Sequence, residues 1–280
     1  MKIALYLRHI DHESKPLFDE LVATLQARGI AAHTVSDGDS VDGCDYLFSI
    51  GGDGTLLSAV QFVSSSNPSA FPPILGINFG HLGFLTTAGK DNLAVLVDDL
   101  LAGHFSIEER TLLQLTTQDS QFSTRDSQFS TPFALNEVFL HRTEEASLLR
   151  TRVTVDGQYV ATYSGDGVIV ATPTGSTAYS LSCGGPILTP NSQGLVITPI
   201  SAHTLTLRPI IVPDTSLITL QVVEGDRCIL GMDSRRHQLG ANVELTLRRA
   251  PFTIRLVRMN TQNFFSAIRD KLMWGTEVRL

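Results

Sequence analysis

Short apolar runs alternate with amphipathic stretches over the first hundred residues. Residues 2–7 are rich in strand formers and predict a strand. Ser14 then offers a helix cap, Pro16 falls in the first turn, and Leu17, Leu21, Val22 and Leu25 recur at helical spacing until Gly29. Residues 46–50 and 74–77 are apolar runs bounded by turn residues, and both predict buried parallel strands. Residues 56–63 continue from the first of these as an apolar helix, and residues 92–101 predict another, closed by Gly103. Such an alternation implies a parallel sheet with helices on its faces, whose ligands bind beyond the carboxyl ends of the strands.

From about residue 105 the helical period gives way to short strand-like runs punctuated by glycine, proline and serine. Asp156-Gly157 between two β-rich runs is a hairpin signal. Further runs at 168–171, 217–223, 243–247 and 253–257 predict an antiparallel sandwich. Residues 264–274 read as a helix that folds back onto the first domain. The expected organisation is α/β plus all-β: a parallel α/β domain over 1–104, a β-sandwich over 105–262, and a returning C-terminal segment over 263–280. Residues 119–124 recur as 126–131 after Arg125, a polar repeat that predicts an exposed hairpin or loop.

Composition narrows the function classes. At roughly 150 residues per domain, 280 residues fit two domains. The 42% apolar and 18% charged content excludes a disordered chain, a coiled coil and a collagen. With 28 acidic against 21 basic residues, the net charge of −7 provides no overall attraction for nucleic acid or an anionic membrane. The first apolar stretch is too short for a signal peptide, and no run is long enough to span a membrane. Cys44, Cys183 and Cys228 are scattered and odd in number, so neither a disulfide framework nor a structural metal site is expected, and a cytoplasmic setting is.

Gly51-Gly52-Asp53-Gly54-Thr55 follows the strand at 46–50 and opens the next helix. The glycines let backbone approach a bulky anion, and exposed N–H groups with a helix N-terminus hold phosphate. A carboxylate in such a turn makes sense if it binds a phosphate-borne Mg²⁺ or takes a proton from an attacking hydroxyl; the alternative is an ordinary glycine-rich turn. No Walker A loop and no G-x-G-x-x-G occurs. Asn136-Glu137 interrupts an apolar run: either the pair serves one ligand from a strand end or bulge, with ribose hydroxyls as partners for the carboxylate, or it is the wet part of an edge strand. Residues 167–207 hold 41 residues with no Asp, Glu, Lys or Arg, but 12 Ser/Thr, 5 Gly and 4 Pro. Either hydroxyls and amides there read a heteroaromatic ring, on which Tyr179 stacks, or the stretch is a buried interface. Asp166, between Gly165 and Gly167, is a hydrogen-bond acceptor for an amide or hydroxyl. His81 and Phe84 lie beyond the strand at 74–77, near Asp53 or in the core. The charged run 233–237 is either a solvated hairpin, the favoured reading, or a loop that touches phosphate.

Taken together, the glycine–aspartate block at 51–55, residues 80–84, Asn136-Glu137, Gly165-Asp166-Gly167, the block Thr172–Pro186 with its specific run Thr172-Pro173-Thr174-Gly175-Ser176-Thr177-Ala178-Tyr179, residues 208–212 and Leu272-Met273-Trp274 resemble the NAD kinase family in order and spacing, over nearly the whole chain. The repeat at 119–131 is a departure, and Ser201 stands where a small residue such as alanine is usual. The resemblance implies transfer of the γ-phosphate of ATP, carried with Mg²⁺, to the adenosine ribose 2′-hydroxyl of NAD. It implies Asp53 as the catalytic base, Gly54 at the pyrophosphate, and Phe84 beside them. Asn136 and Glu137 would bind adenine and ribose, and Thr177, Ala178, Tyr179, Ser180, Leu181 and Ser182 would line the nucleoside pockets. Asp166 would face the nicotinamide end, and Ser201 would belong to the substrate- and nucleotide-binding set. It further implies a cytoplasmic homodimer or homotetramer with shared active sites. The rival readings are a kinase for a lipid or sugar hydroxyl, and a non-catalytic NAD or NADP sensor.

Overall fold

Strand β1 (Lys2–Tyr6) is buried from Ile3 onward, as a strand covered on both faces must be. The computed structural model describes residues 1–66, 71–80, 83–86, 88–89, 92–117, 131–146, 148–225, 227–260 and 263–275. Helix α1 (Lys15–Ala27) has Pro16 in its first turn, and Gly29 at φ +69° follows its last turn; Ser14 sits at the cap position with helical dihedrals and no side-chain cap bond. Then comes β2 (Ala31–Val35), whose half-exposed Ala-Ala-His-Thr-Val pattern disguises a sheet edge. Strand β3 (Tyr46–Ile50), helix α2 (Asp53–Ser66), β4 (Ile74–Asn78), the short β5 (Ala88–Gly89) and α3 (Leu93–Ala102) complete the alternation. Helix α2 begins at Asp53, three residues before the apolar run, because an acidic residue in the first turn suits the helix dipole. The pairs β1–β2, β1–β3, β3–β4 and β4–β5 are all parallel, so the carboxyl ends of β1, β3 and β4 lie side by side. Leu21, Leu25, Phe48, Leu75, Ile77 and Val97 form the core of this unit.

β6 (Phe105–Thr117) leads into a run of strands: β7 (Phe133–Ala134), β8 (Glu137–Arg142), β9 (Leu149–Val155), β10 (Gln158–Gly165) and β11 (Gly167–Ala171). A 3₁₀ turn (Gly175–Thr177) and the one-turn α4 (Tyr179–Ser182) interrupt them before β12 (Gly194–Ile200), β13 (Ile210–Pro213), β14 (Ile218–Glu224), β15 (Cys228–Met232), β16 (Arg235–Leu239) and β17 (Glu244–Met259). Helix α5 (Phe264–Leu272) follows, with a capping box at Asn263. The chain divides into two compact units, Met1–Glu109 with Ile254–Leu280, and Arg110–Thr253.

In the second unit an antiparallel sheet of order β13-β12-β11-β8-β15-β16 packs against a sheet containing β10, β9, β14 and the first part of β17. Val138, Leu140, Val168, Ile197 and Leu230 of the former meet Val153, Ile218, Leu220 and Leu245 of the latter. The other face of the six-stranded sheet is also covered: Phe139, Ile169, Val196 and Ile200 pack with Tyr179, Cys183 and Leu188. Strands β11 and β12 are therefore buried at every residue. Packing on both faces thus accounts for two segments of the charge-free stretch at 167–207.

The structure differs from expectation at β17, which is one 16-residue strand rather than two. Pro251 lies in its middle, and a residue without an N–H donor reads as a break. The hairpin at Asp156-Gly157 forms as expected, with φ +50° and +76° at the two turn residues. The repeat lies outside the described residues except for its last residue, Thr131, and His81 lies outside them too.

Candidate active site

The first group of site residues is built at the carboxyl end of β3. Gly51 has φ +140°, and a Cβ there would lie 2.4 Å from Thr55 Oγ1, so the turn into α2 demands glycine. The turn delivers Asp53 as the first residue of α2. Its carboxylate is not a bare charge among glycines. Oδ2 accepts the N–H of Phe84 at 2.8 Å; Oδ1 accepts those of Leu85 at 3.2 Å and Thr86 at 3.1 Å, and the Thr86 hydroxyl at 3.2 Å. The 83–86 loop can wrap this closely because residue 83 is glycine: a Cβ there would fall 1.6 Å from Asp53 Oδ1. Oδ1 is saturated, while Oδ2 has one donor and keeps acceptor capacity.

Behind this loop lies Arg258. It is buried, pairs with Glu108 Oε2 at 3.2 Å, and donates to the Phe84 carbonyl at 3.4 Å. Burial pulls its guanidinium down, against the charges of Glu108 and Asp53. Lys271 of α5 places its ammonium 5.8 Å from the Phe84 ring centroid. On the open side, a Cβ at Gly54 would meet nothing within 4 Å, which leaves room at the start of α2 for an anion. Arg8, exposed just beyond the end of β1, donates to Ser58 Oγ at 3.4 Å, and Ser58 donates to the Gly54 carbonyl at 3.1 Å. The sequence offered no signal for Arg8 or Arg258, since each is a lone cation whose place depends on strand order.

The second group lies where β8 begins. Asn136 immediately precedes β8 and Glu137 is its first residue, so the pair stands at a strand end. The Asn136 carbonyl accepts the N–H of Thr172 at 2.9 Å, and Gly175 packs so tightly that a Cβ would sit 2.0 Å from that carbonyl oxygen. Glu137 is buried, and its Oε2 has no hydrogen-bond partner. Burial first, then the charge of Asp233, pushes its carboxyl up to about 8; the backbone N–H of Tyr179 opposes them. Tyr179 makes an edge contact with Phe139, ring centroids 5.2 Å apart, and Gly231 makes room for the Phe139 ring. Burial, chiefly, raises the Tyr179 phenol, with Cys183, Asp166 and Glu137 adding to the rise and Arg236 opposing it.

Not every hydroxyl of the Thr172–Ser182 segment is free to read a ligand. Thr172 Oγ1 donates to the Leu135 carbonyl at 2.6 Å, Ser176 Oγ bonds Pro173 and Leu188, and Ser180 is buried against Thr198 at 2.8 Å. Thr177, Ala178, Tyr179 and Leu181 are half-buried and Ser182 is exposed. Asp166 also has a protein partner: Arg142 Nε lies 2.6 Å away, and that bond, with a hydroxyl bond from Ser201, holds its carboxyl below the usual range. Ser201 itself adopts φ +44°. The structure thus brings Asp53 together with Phe84, Glu137 with Asn136 and Tyr179, and Asp166 with Ser201.

The run at 233–237 is not simply a solvated hairpin. Asp233 and Ser234 turn β15 into β16, whose first residues complete the run, and the Asp233 carboxylate accepts the backbone N–H groups of Leu135, Asn136 and Glu137 at 2.9, 2.7 and 3.3 Å. Its partners lie about a hundred positions away in sequence, so no local pattern marked it. Among the described residues no group of three or more His, Cys, Asp or Glu side chains could hold a metal ion, and no helix is long and apolar enough to cross a membrane.

Two family profiles match, an ATP-NAD kinase N-terminal domain over residues 7–105 and an ATP-NAD kinase C-terminal domain over residues 135–259. The NAD kinase of Cytophaga hutchinsonii is 39% identical over 237 residues, 84% of this chain and 77% of that protein. The NAD kinase of Flavobacterium johnsoniae is 34% identical over the full length of both. Among solved structures, yeast NADH kinase complexed with NADH superposes with a TM-score of 0.85 at 23% identity, covering 100% of this chain and 89% of that one. An Archaeoglobus fulgidus NAD kinase in complex with ATP gives 0.78 at 24% identity, covering 98% and 99%.

Proposed function

The chain belongs to the NAD kinase family and phosphorylates NAD with ATP, and on that premise we propose how its residues divide the work. Asp53 takes the proton from the adenosine ribose 2′-hydroxyl as the γ-phosphate arrives. The observation that carries this role is its carboxylate at the N-terminus of α2, locked by Oδ1 to the 83–86 loop while Oδ2 retains acceptor capacity. Positioning and electrostatics dominate phosphoryl transfer, and a carboxylate that cannot swing away suits that demand. Gly54 and the amides that open α2 face the phosphates, with Phe84 on the adjoining loop.

Asn136 and Glu137 bind the adenine and ribose groups; the unpartnered Glu137 oxygen is a buried acceptor for a ribose hydroxyl. Thr177, Ala178, Tyr179, Leu181 and Ser182 line the nucleoside pockets, to which Ser180 contributes shape, its hydroxyl being engaged by Thr198. Asp166, oriented by Arg142, and Ser201 serve the nicotinamide end. The bound NADH and ATP of the two solved relatives support these substrate classes.

A divalent cation, Mg²⁺ by this proposal, neutralises phosphate charge when it arrives on ATP. Asp53 is a single carboxylate whose Oδ1 is already occupied, which fits a metal held mainly by the nucleotide. The proposal includes a cytoplasmic setting, which suits three unpaired cysteines, and a homodimer or homotetramer with active sites shared between copies. A lipid or sugar kinase and a non-catalytic sensor are the readings this displaces. The test is incubation of the purified protein with Mg-ATP and NAD, with NADP as the product sought. Its absence, with protein shown to be folded, would overturn the assignment.

A further inference from the structure

Between β7, which ends at Ala134, and β8, which begins at Glu137, three consecutive backbone N–H groups turn toward one point. Unpaired, they would form an anion-binding concavity. Asp233 fills it with the three bonds already described, and its own N–H donates back to the Glu137 carbonyl at 3.0 Å. Asp233 adopts φ +52°, in the left-handed region that aspartate tolerates better than most residues. Nearby, Arg235 donates to the Thr131 carbonyl at 2.8 Å and also to the Phe133 carbonyl, so β16 holds the strand entry from two successive points.

We propose that Asp233 is a positioning residue for dinucleotide recognition: it sets the backbone that aims Asn136 and Glu137, and it keeps a negative charge beside the Glu137 carboxyl. This rests on the reading of Asn136 and Glu137 as NAD-binding groups. Burial raises both carboxyls, but Asp233 has three N–H donors that favour its charged form, whereas Glu137 has one opposing donor and a bare oxygen. The proton therefore resides on Glu137. The other titratable groups around it are Tyr179 and Cys183, on and just after α4, and the Arg235 guanidinium of β16 favours the charged form of Asp233. A ribose hydroxyl donates more strongly to an ionised carboxylate than to a neutral one. The KM for NAD accordingly falls as pH rises through about 8, while the KM for ATP does not follow it.

Steady-state kinetics of full-length Asp233→Asn tests the idea against wild type across that pH range. Asparagine keeps the shape but removes the charge and one acceptor oxygen. The expected result is a KM for NAD raised on the order of tenfold, with kcat and the KM for ATP nearly unchanged. The pH step in the NAD KM also moves to lower pH, because the neighbouring charge is gone. A purely structural role would lower Tm without moving the step. A folded Asp233→Asn with wild-type NAD KM and an unmoved step overturns the proposal. If that variant does not fold, Asp233→Glu decides: it retains charge but misplaces the oxygens, so the NAD KM must rise while the step stays, and a wild-type KM overturns the proposal. A wild-type enzyme that makes no NADP, or unchanged NAD KM in both Asn136→Ala and Glu137→Gln, would instead remove the underlying assignment.

Discussion

Asp53 shows how one side chain is specified by its neighbours. Four donors converge on it, three backbone N–H groups and one hydroxyl, all from a loop that approaches only because residue 83 lacks a Cβ. Asp53→Asn leaves the size unchanged but removes the base, and is expected to lower kcat by at least ~10²-fold with NAD binding retained, as single-turnover and binding measurements would register. Gly83→Ala is expected to be nearly as inactive although it touches no reacting atom, since its methyl must displace either the loop or the carboxylate; kcat and the melting curve together check this. Glu137 carries a different signature. Its folded pKa of about 8 lies above the usual carboxyl value of 4.5, so the stability it contributes is full below 4.5 and is lost as pH rises toward 8. Glu137→Gln removes that loss. The variant is expected to gain stability over wild type progressively from pH 5 to pH 8, at up to about 1.4 kcal/mol per pH unit. Urea titrations at both ends read the difference, and an equal difference at the two pH values would refute it.

Secondary-structure elements place these residues, and they do so through backbone geometry as much as through apolar pattern. The hairpin between β9 and β10 turns on Asp156 and Gly157, both at positive φ. A Cβ at Gly157 would meet nothing within 4 Å, so Gly157→Ala has only a conformational cost. A loss of about 1–2 kcal/mol in denaturant unfolding is expected, with turnover unchanged. Strand β8 makes the larger contribution to function. It sits between β11 and β15 and presents Val138 and Leu140 to one core and Phe139 to the other. Held from both sides, it has its one irregular point at the entry, where Asn136 and Glu137 stand.

For the whole molecule, the proposed sharing of active sites predicts complementation. Asp53→Asn keeps Asp166, and Asp166→Ala keeps Asp53. If the two residues serve one site from different copies, a mixed assembly contains one site with both lesions and one with neither. Hybrids purified through two different tags should then regain part of the wild-type activity, each parent alone being inactive. Hybrids as inactive as their parents would assign each site to a single chain. The charge-free stretch at 167–207 no longer argues for such an interface by itself, because β11 and β12 are buried within the sandwich on both faces.

The amino-acid order alone determined the α/β-then-β organisation, since periods of 3.6 and 2 and the turn signals at Gly29, Gly103 and Asp156-Gly157 are local. It also marked Asp53 and the Asn136-Glu137 pair, because a carboxylate among glycines and a polar pair in an apolar run conflict with their surroundings. Only the tertiary structure decided what surrounds them. The 83–86 loop meets Asp53 across some thirty positions, and Asp233 meets residues 135–137 across almost a hundred. Strand β17 continues through Pro251, and β2 pairs with β1 despite its mixed pattern. Each depends on contacts between segments distant in the chain. Such contacts form because buried carboxylates and backbone amides must find partners when water is excluded, a requirement that exists only once the chain has folded.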